Sequence, residues 1–118
     1  MNRHFVAAYY GNELGNLSRH EVVQFLYALQ GSICGICGKY LRRKLATIDH
    51  VIPRARGGAH DITNWMLAHA RCNFAKADQM PSADQVRRHR KLAREIRFMF
   101  FRLAIQNWWE RITRGLRR

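Results

Sequence analysis

The sequence contains few acidic residues, few cysteines and no long apolar run. Eight Asp and Glu residues stand against 21 Lys and Arg residues in a chain of 118, which gives a formal net charge of +13. This excess favours a polyanionic partner, nucleic acid before a membrane surface, although a merely soluble basic protein would also carry it. No stretch approaches the ~18 uninterrupted apolar residues of a membrane span, so we expect no such span.

The N-terminus, MNRHFVAAYYGNE, also lacks a long apolar run. We therefore expect no signal peptide and a cytoplasmic location, in a bacterial or phage-infected cell. Internal repeats and low-complexity tracts are absent, and the length suggests one domain spanning 1–118. We divide it into an N-terminal segment (1–33), a central core (34–80) and a basic C-terminal helix (82–118). The length and charge suit a phage or mobile-element protein.

The three cysteines are Cys34, Cys37 and Cys72. An odd count without a secretion signal argues against a disulfide framework, which leaves a metal site or a thiol redox pair. A thioredoxin-like redox pair needs a βαβ context, and the sequence shows no such pattern.

The spacing of these cysteines favours a metal. Cys34-x-x-Cys37 and His69-x-x-Cys72 share the same two-residue gap, and together they use every cysteine of the chain. Two ligands from each of two turns suit tetrahedral zinc, whereas His69 considered alone would more simply be a core or surface histidine. Four protein ligands leave no open coordination position, so we predict a structural zinc ion. A position at the start of a helix would also favour the thiolate of Cys72.

Apolar periodicity and turn residues predict the order of the secondary structure. We expect a helix over about 19–30, strands over 45–52 and 63–69, a short helix over 72–78 and a long helix from about 82 to 114. The first and last helices each begin with a capping-box pattern, Ser-x-x-Glu and Ser-x-x-Gln.

A second group of polar residues has a different chemistry: Asp49, His50, Asn64 and Asn73. Carboxylate and amide oxygens are ligands for magnesium or manganese, and a neutral histidine can take a proton from water. Considered singly, Asp49 and His50 could be a strand-end pair, and the two asparagines could be helix or turn caps. Neighbouring residues of a regular strand also point to opposite faces, so Asp49 and His50 can share one site only where the strand ends or is irregular.

The order of the motifs resembles the zinc-containing form of the HNH endonuclease family. The segments that carry the resemblance are CGIC, IDHVIPRARGG, DITNW and HARCNFAK, and they cover about residues 34–78. The resemblance implies an α+β fold, with a small ββα-metal core and a structural zinc knuckle. In this chain the core would be flanked by an N-terminal helix and a long basic C-terminal helix. It also implies a metal-dependent DNA endonuclease that hydrolyses phosphodiester bonds and nicks or cleaves double-stranded DNA.

The resemblance also implies a role for each polar residue. His50 would be the general base, Asp49 and Asn73 would bind the catalytic Mg²⁺ or Mn²⁺, and Asn64 would hold the loop between the strands. Two positions depart from the usual pattern. Asn73 stands where many members have His, and His69 stands where many zinc-bearing members have Cys. Both replacements keep an accepted ligand type.

Five basic residues are expected to contact DNA: Arg42, Arg43, Arg54, Arg56 and Lys76. Arg54 and Arg56 lie in the loop beside the expected site, although a solvated loop would look the same. The alternatives to a free-standing nuclease are a non-catalytic zinc-bearing DNA-binding module and a nuclease subunit of a larger nucleic-acid complex.

The last segment carries 11 Lys and Arg residues against 3 Asp and Glu residues. We expect its stripe of Leu92, Ile96, Phe100 and Leu103 to pack on the core while its arginines face DNA. A protein partner or self-association through this helix is the second possibility, and a membrane surface is the least expected.

Overall fold

The computed structural model describes residues 18–117, which form an α+β fold. A two-stranded antiparallel sheet is accompanied by three helices in this part of the chain. The elements are α1 (Arg19–Gln30), β1 (Ala46–His50), β2 (Trp65–His69), α2 (Ala70–Lys76) and α3 (Ala83–Leu116). The expected fold class is therefore confirmed, with the hairpin and α2 at its centre and α1 and α3 on either side in sequence.

Local sequence signals set both ends of helix α1, and its last residue, Gln30, holds the helix against the sheet. The Ser18 hydroxyl accepts a hydrogen bond from the backbone N–H of Glu21 at 3.2 Å, and the helix ends at Gly31, whose φ is +81°. The Gln30 side chain donates to the carbonyl of Leu67 at 2.7 Å and accepts from its N–H at 2.8 Å. This amide satisfies both backbone groups of Leu67 and holds α1 against β2.

The hairpin register decides which side chains are buried. Ala46 pairs with His69 and His50 pairs with Trp65 at the two ends, while Asp49 pairs with Met66. Asp49 and Met66 are buried, and His50 is only partly so. Neighbouring positions on β1 therefore face different surroundings, as strand geometry requires.

Each of the three predicted elements in the centre begins or ends at a different residue from the one predicted. Strand β1 stops at His50 rather than residue 52, and β2 starts at Trp65 because Ile62–Asn64 form a 3-10 turn. The Asp61 carboxylate starts that turn by accepting from the backbone N–H of Thr63 at 2.9 Å. Helix α2 begins at Ala70, two residues earlier than predicted.

Helix α3 has two dissimilar halves. Leu92, Ile96 and Phe100 are buried against the core, as the stripe predicted. The prediction is wrong for Leu103, which is 37% exposed, because the core has ended by that turn. Trp108 and Trp109 are both more than half exposed. Partner binding by this second half remains a prediction.

Among residues 18–117, no helix has both the length and the apolar character needed to cross a membrane.

Candidate functional site

The four predicted zinc ligands lie together at the Ala46 end of the hairpin. One ligand atom from each of Cys34, Cys37, His69 and Cys72 lies within 4.8 Å of all the others. The His69 Nδ1 atom is 3.4 Å from the sulfur of Cys37 and 3.7 Å from that of Cys72. Tetrahedral zinc with Zn–S of about 2.3 Å and Zn–N of about 2.0 Å requires S···N separations of about 3.5 Å. The cluster therefore has the size and donor chemistry of a zinc site.

Surrounding backbone groups orient these ligands. The Nε2 atom of His69 lies 2.7 Å from the carbonyl of Tyr40, so Nε2 donates and Nδ1 is left as a ligand. The Cys34 sulfur accepts from the N–H groups of Cys37 and His69, at 3.5 and 3.4 Å. Cys34 is fully buried. These contacts orient the Cys34 sulfur and fix the histidine tautomer that a metal requires.

Without a cation, the thiol of Cys72 is difficult to ionise. Burial, with a smaller contribution from the neighbouring Cys34, raises the pKa of Cys72 to about 11. The helix-terminal position expected to favour this thiolate is therefore outweighed, chiefly by burial. A divalent cation would reverse this penalty, because a coordinated thiol is deprotonated. The fit of size, tautomer and donor set supports a metal here.

At the other end of the hairpin, His50 lies in a small aromatic group. Its Nε2 atom is 2.9 Å from Nδ1 of His60, and the two rings stack with centroids 5.2 Å apart. The ring of Trp65 meets both histidines edge-on. Desolvation lowers the pKa of His50, and the nearby His60 lowers it further. His50 is therefore neutral at physiological pH and able to accept a proton.

The sequence analysis missed His60. A histidine ten residues downstream in a loop carries no spacing signal, and only the turn of the loop brings it to His50. In the described part of the chain, Nδ1 of His50 makes no hydrogen bond, so that ring nitrogen is the one available to a water molecule.

Asp49 points away from His50 into a buried polar cluster. Its Oδ2 atom accepts from the ammonium of Lys76 and from the side-chain amide of Gln85, both at 2.7 Å. Lys76 also donates to the carbonyls of His50 at 3.0 Å and Val51 at 2.8 Å. Lys76 was expected to contact DNA, but this position does not fit that role: the residue is 7% exposed and its donors are used internally.

Gln85 is the second functional candidate that the sequence did not reveal. The Ser-x-x-Gln pattern predicted a capping box, in which this side chain would bond the helix terminus. The Ser82 half of the box is present, since its hydroxyl accepts from the Gln85 N–H at 3.1 Å. The Gln85 side chain instead reaches Asp49 and is 1% exposed. It thereby ties the start of α3 to β1.

The two expected ligands of the catalytic ion retain one oxygen each. Both side-chain hydrogen bonds to Asp49 fall on Oδ2. The Asn73 amide donates to the carbonyl of Ile48 at 3.2 Å and to the hydroxyl of Thr47 at 3.3 Å, which leaves its oxygen as an acceptor. Within residues 18–117, no group of three or more His, Cys, Asp or Glu residues includes Asp49. Two hard oxygens suit Mg²⁺, which commonly takes one or two protein ligands and completes its shell with water and phosphate.

Asn64 spans the loop between the strands. Its amide donates to the carbonyls of Ile52 and Ala59, both at 2.9 Å, and its oxygen accepts from the N–H of Ile52 at 3.0 Å. Gly58 is required beside it, because a Cβ there would lie 1.8 Å from the Ile52 carbonyl oxygen. These contacts fix the chain immediately after His50.

The predicted DNA-contacting arginines fall into two groups. Arg54 and Arg56 are exposed on the turn that follows His50, and Arg56 also donates to the carbonyl of Asp78 at 2.6 Å. Arg42 and Arg43 are exposed before β1, at the zinc-ligand end of the hairpin. The four residue steps of β1 separate the two ends by about 13 Å.

Comparison with known proteins gives one family match and one partial structural likeness. Residues 34–79 match the family model for HNH endonuclease. A search of curated proteins finds no match. Among solved structures, the Type II-C Cas9 enzyme from Actinomyces naeslundii is similar at 18% identity with a TM-score of 0.48. That alignment covers 80% of this chain and 15% of the Cas9 chain, so the chain spans a small part of that protein's length.

Proposed function

We propose that this chain, whose residues 34–79 belong to the HNH endonuclease family, is a metal-dependent endonuclease that hydrolyses phosphodiester bonds in DNA. The observation that carries the proposal is the position of His50. It ends β1, is partly exposed, and packs against His60 and Trp65 four residues before the exposed Arg54. We expect nicks or cuts in double-stranded DNA.

In this proposal His50 is the general base. Its lowered pKa keeps the ring neutral, so a ring nitrogen can take the proton of a water molecule. The water oxygen then attacks phosphorus, the bond to the leaving 3′ oxygen breaks, and that oxygen takes up a proton from a solvent water. The products are a 5′-phosphate end and a 3′-hydroxyl end, as the family resemblance implies.

The other residues bind and orient. Asn64 keeps the loop closed through its three hydrogen bonds and so orients His50. Arg54 and Arg56 are exposed on the turn that follows His50, and we expect them to contact phosphates. Asp49 and Asn73 would hold a divalent cation, and the chemistry such an ion would supply is neutralisation of charge on the phosphate and the leaving oxygen. Cys34, Cys37, His69 and Cys72 would hold the structural zinc.

One observation favours a second function, that of a DNA-binding module without catalysis. The Asp49 carboxylate is buried and paired with Lys76, so a cation must bind beside an existing ion pair. A protein that only binds DNA has no use for an open carboxylate at this position. It would still use Arg54 and Arg56 and the zinc cluster.

Plasmid cleavage separates the two functions. Supercoiled plasmid is incubated with purified protein and Mg²⁺ or Mn²⁺, beside a His50→Ala variant and a Gln106→Ala control at an exposed position of α3. The nuclease proposal expects nicked or linear DNA from the wild type and the control, and none above background from His50→Ala. Equal products from wild type and His50→Ala, or none from either, would leave the DNA-binding module as the function.

A further inference from the structure

A second concentration of positive charge lies at the Ala46 end of the hairpin. Arg19 and His20 from the first turn of α1 meet Arg43 and Lys44 from the 3-10 turn before β1. They line a groove of about 520 Å³, whose remaining lining residues are Val23, Gln24 and Ala46. No carboxylate is among these lining residues. Residues more than twenty positions apart in sequence are thus brought into one basic groove.

The groove is preformed by contacts outside it. The Tyr27 hydroxyl donates to the carbonyl of Leu41 at 2.9 Å, which fixes α1 beside the segment that leads into the 3-10 turn. Gln30 fixes the other end of α1 through Leu67. The acidic residue of the first turn, Glu21, has its carboxylate hydrogen-bonded to Ser18. The two walls are therefore positioned without a ligand.

Among residues 18–117, no ion pair compensates the positive charges of the groove. The ion pairs of residues 18–117 involve Lys76, Arg87 and Arg114, and none of the groove residues. Like charges held together repel one another, and a polyanion that enters the groove relieves this repulsion. Guanidinium groups also match the geometry of phosphate oxygens, which accept two parallel hydrogen bonds from one arginine.

We propose that this groove binds the sugar-phosphate backbone of DNA at a site separate from the cleaved bond. The inference rests on the proposed function, since it assumes that the bound polyanion is the substrate. The groove lies at the opposite end of β1 from His50, about 13 Å away along the strand. A phosphate bound here therefore belongs to a different nucleotide from the one that is cleaved. The groove contributes affinity and sets the register of the duplex, while the chemistry remains at His50.

The test measures binding without cleavage. A fluorescent 20-base-pair duplex is titrated in EDTA with His50→Ala protein, followed by anisotropy at several salt concentrations. Adding Arg19→Gln and Arg43→Gln should weaken binding about tenfold or more at low salt and reduce the salt slope by about 2, because each lost phosphate contact removes about 0.9 from it. The matched control adds Lys39→Gln and Arg71→Gln, two exposed basic residues outside both the groove and α3, with the same change in net charge.

The outcomes are distinct from those of the cleavage test. A selective loss in the groove variant supports the proposal, even if the wild-type protein cleaves nothing. Equal losses in the groove and control variants would mean that net charge alone sets affinity, and no loss would mean that DNA does not enter the groove. Either result overturns the proposal. The same variants are also tested for binding to phosphatidylglycerol vesicles. If the groove variant loses vesicle binding but keeps DNA binding, the proposal is likewise overturned. Circular dichroism confirms that the variants are folded.

The same variants separate binding from chemistry in a protein that keeps His50. With Arg19→Gln and Arg43→Gln, the DNA concentration at half-maximal cleavage should rise about tenfold while the maximal rate stays within about twofold. A fall in the maximal rate with unchanged half-saturation would place the groove in the chemistry and contradict its proposed role.

Discussion

The two ends of the β-hairpin serve different purposes. At the Ala46 end, four potential metal ligands converge and Cys34 is fully buried. At the His50 end, the rings of His50 and His60 stack at the surface, and the backbone is held by Asn64 and Lys76. The first end has the donor set for one metal ion, whereas the second is held by hydrogen bonds and leaves an imidazole accessible. Two five-residue strands thus connect a cluster of potential metal ligands to a partly exposed histidine.

The largest expected effect comes from breaking the ligand cluster. Cys34→Ser should leave the domain unfolded, because a structural zinc ion contributes about 10–16 kcal/mol that this small core cannot replace. Elemental analysis should find one zinc per chain in the wild type and much less in the variant, and near-UV circular dichroism should be lost. A folded, zinc-free Cys34→Ser protein would show that the Ala46 end does not depend on a metal ion for its stability.

At the His50 end, the ion pair between Lys76 and Asp49 should give the next largest effect. Lys76→Met leaves the Asp49 carboxylate buried without its cation, which should cost about 3–5 kcal/mol in the free energy of urea unfolding. The double variant Lys76→Met with Asp49→Leu removes both charges and should recover most of that loss. A double variant as unstable as the single one would contradict the assignment of the penalty to an unpaired charge.

Asn64 should matter both for stability and for cleavage. Asn64→Ala leaves backbone groups of Ile52 and Ala59 without their partner, at a cost of about 1–3 kcal/mol. Asn64→Asp keeps the acceptor for the Ile52 N–H but sets a buried carboxylate oxygen against the Ile52 and Ala59 carbonyls, so it should be at least as unstable as Asn64→Ala. Thermal unfolding and plasmid cleavage measure the two effects. Full cleavage by a destabilised Asn64→Ala protein would show that the loop does not position His50.

The smallest expected effect is a pH dependence of the free energy of unfolding, caused by His89 beside the loop at the His50 end. His89 contacts the carbonyl of Thr63 at 3.0 Å, and burial lowers its pKa from the ordinary 6.5. As pH falls below that value, the unfolded chain takes up a proton that the folded chain does not, so stability is lost. His89→Gln should reduce the decline in urea midpoint between pH 7.5 and pH 5.5, compared with wild type and with an exposed His20→Gln control. An unchanged decline would exclude His89 as its source.

Much of the fold and the metal cluster could be predicted because the signals are local. The capping box at Ser18, the β-branched strand before Pro53 and the two Cys/His pairs each lie within a few residues. Zinc demands specific ligand types at short spacing, so the sequence alone indicates the set. The element ends were less accurate, because Asp61 starts a helical turn where a strand was expected.

The environment of Asp49 shows why other features could not be predicted. Its neighbours Lys76 and Gln85 come from α2 and α3, 27 and 36 residues away. Lysine is ordinarily exposed, so a basic residue in a nuclease-like segment was expected to contact DNA. Its burial depends on how the helices pack, and no spacing in the sequence encodes that packing.

Chain-local chemistry therefore determined which residues are candidate zinc ligands, which asparagines accompany the Asp-His pair and where α1 and α3 begin. Tertiary packing alone decided that Asp49 is buried while His50 is accessible, that His60 joins His50, and that Arg19 meets Arg43 in one groove. The physical reason is range: caps, turns and ligand pairs act over three or four residues, whereas burial and charge clustering depend on which elements come into contact in space.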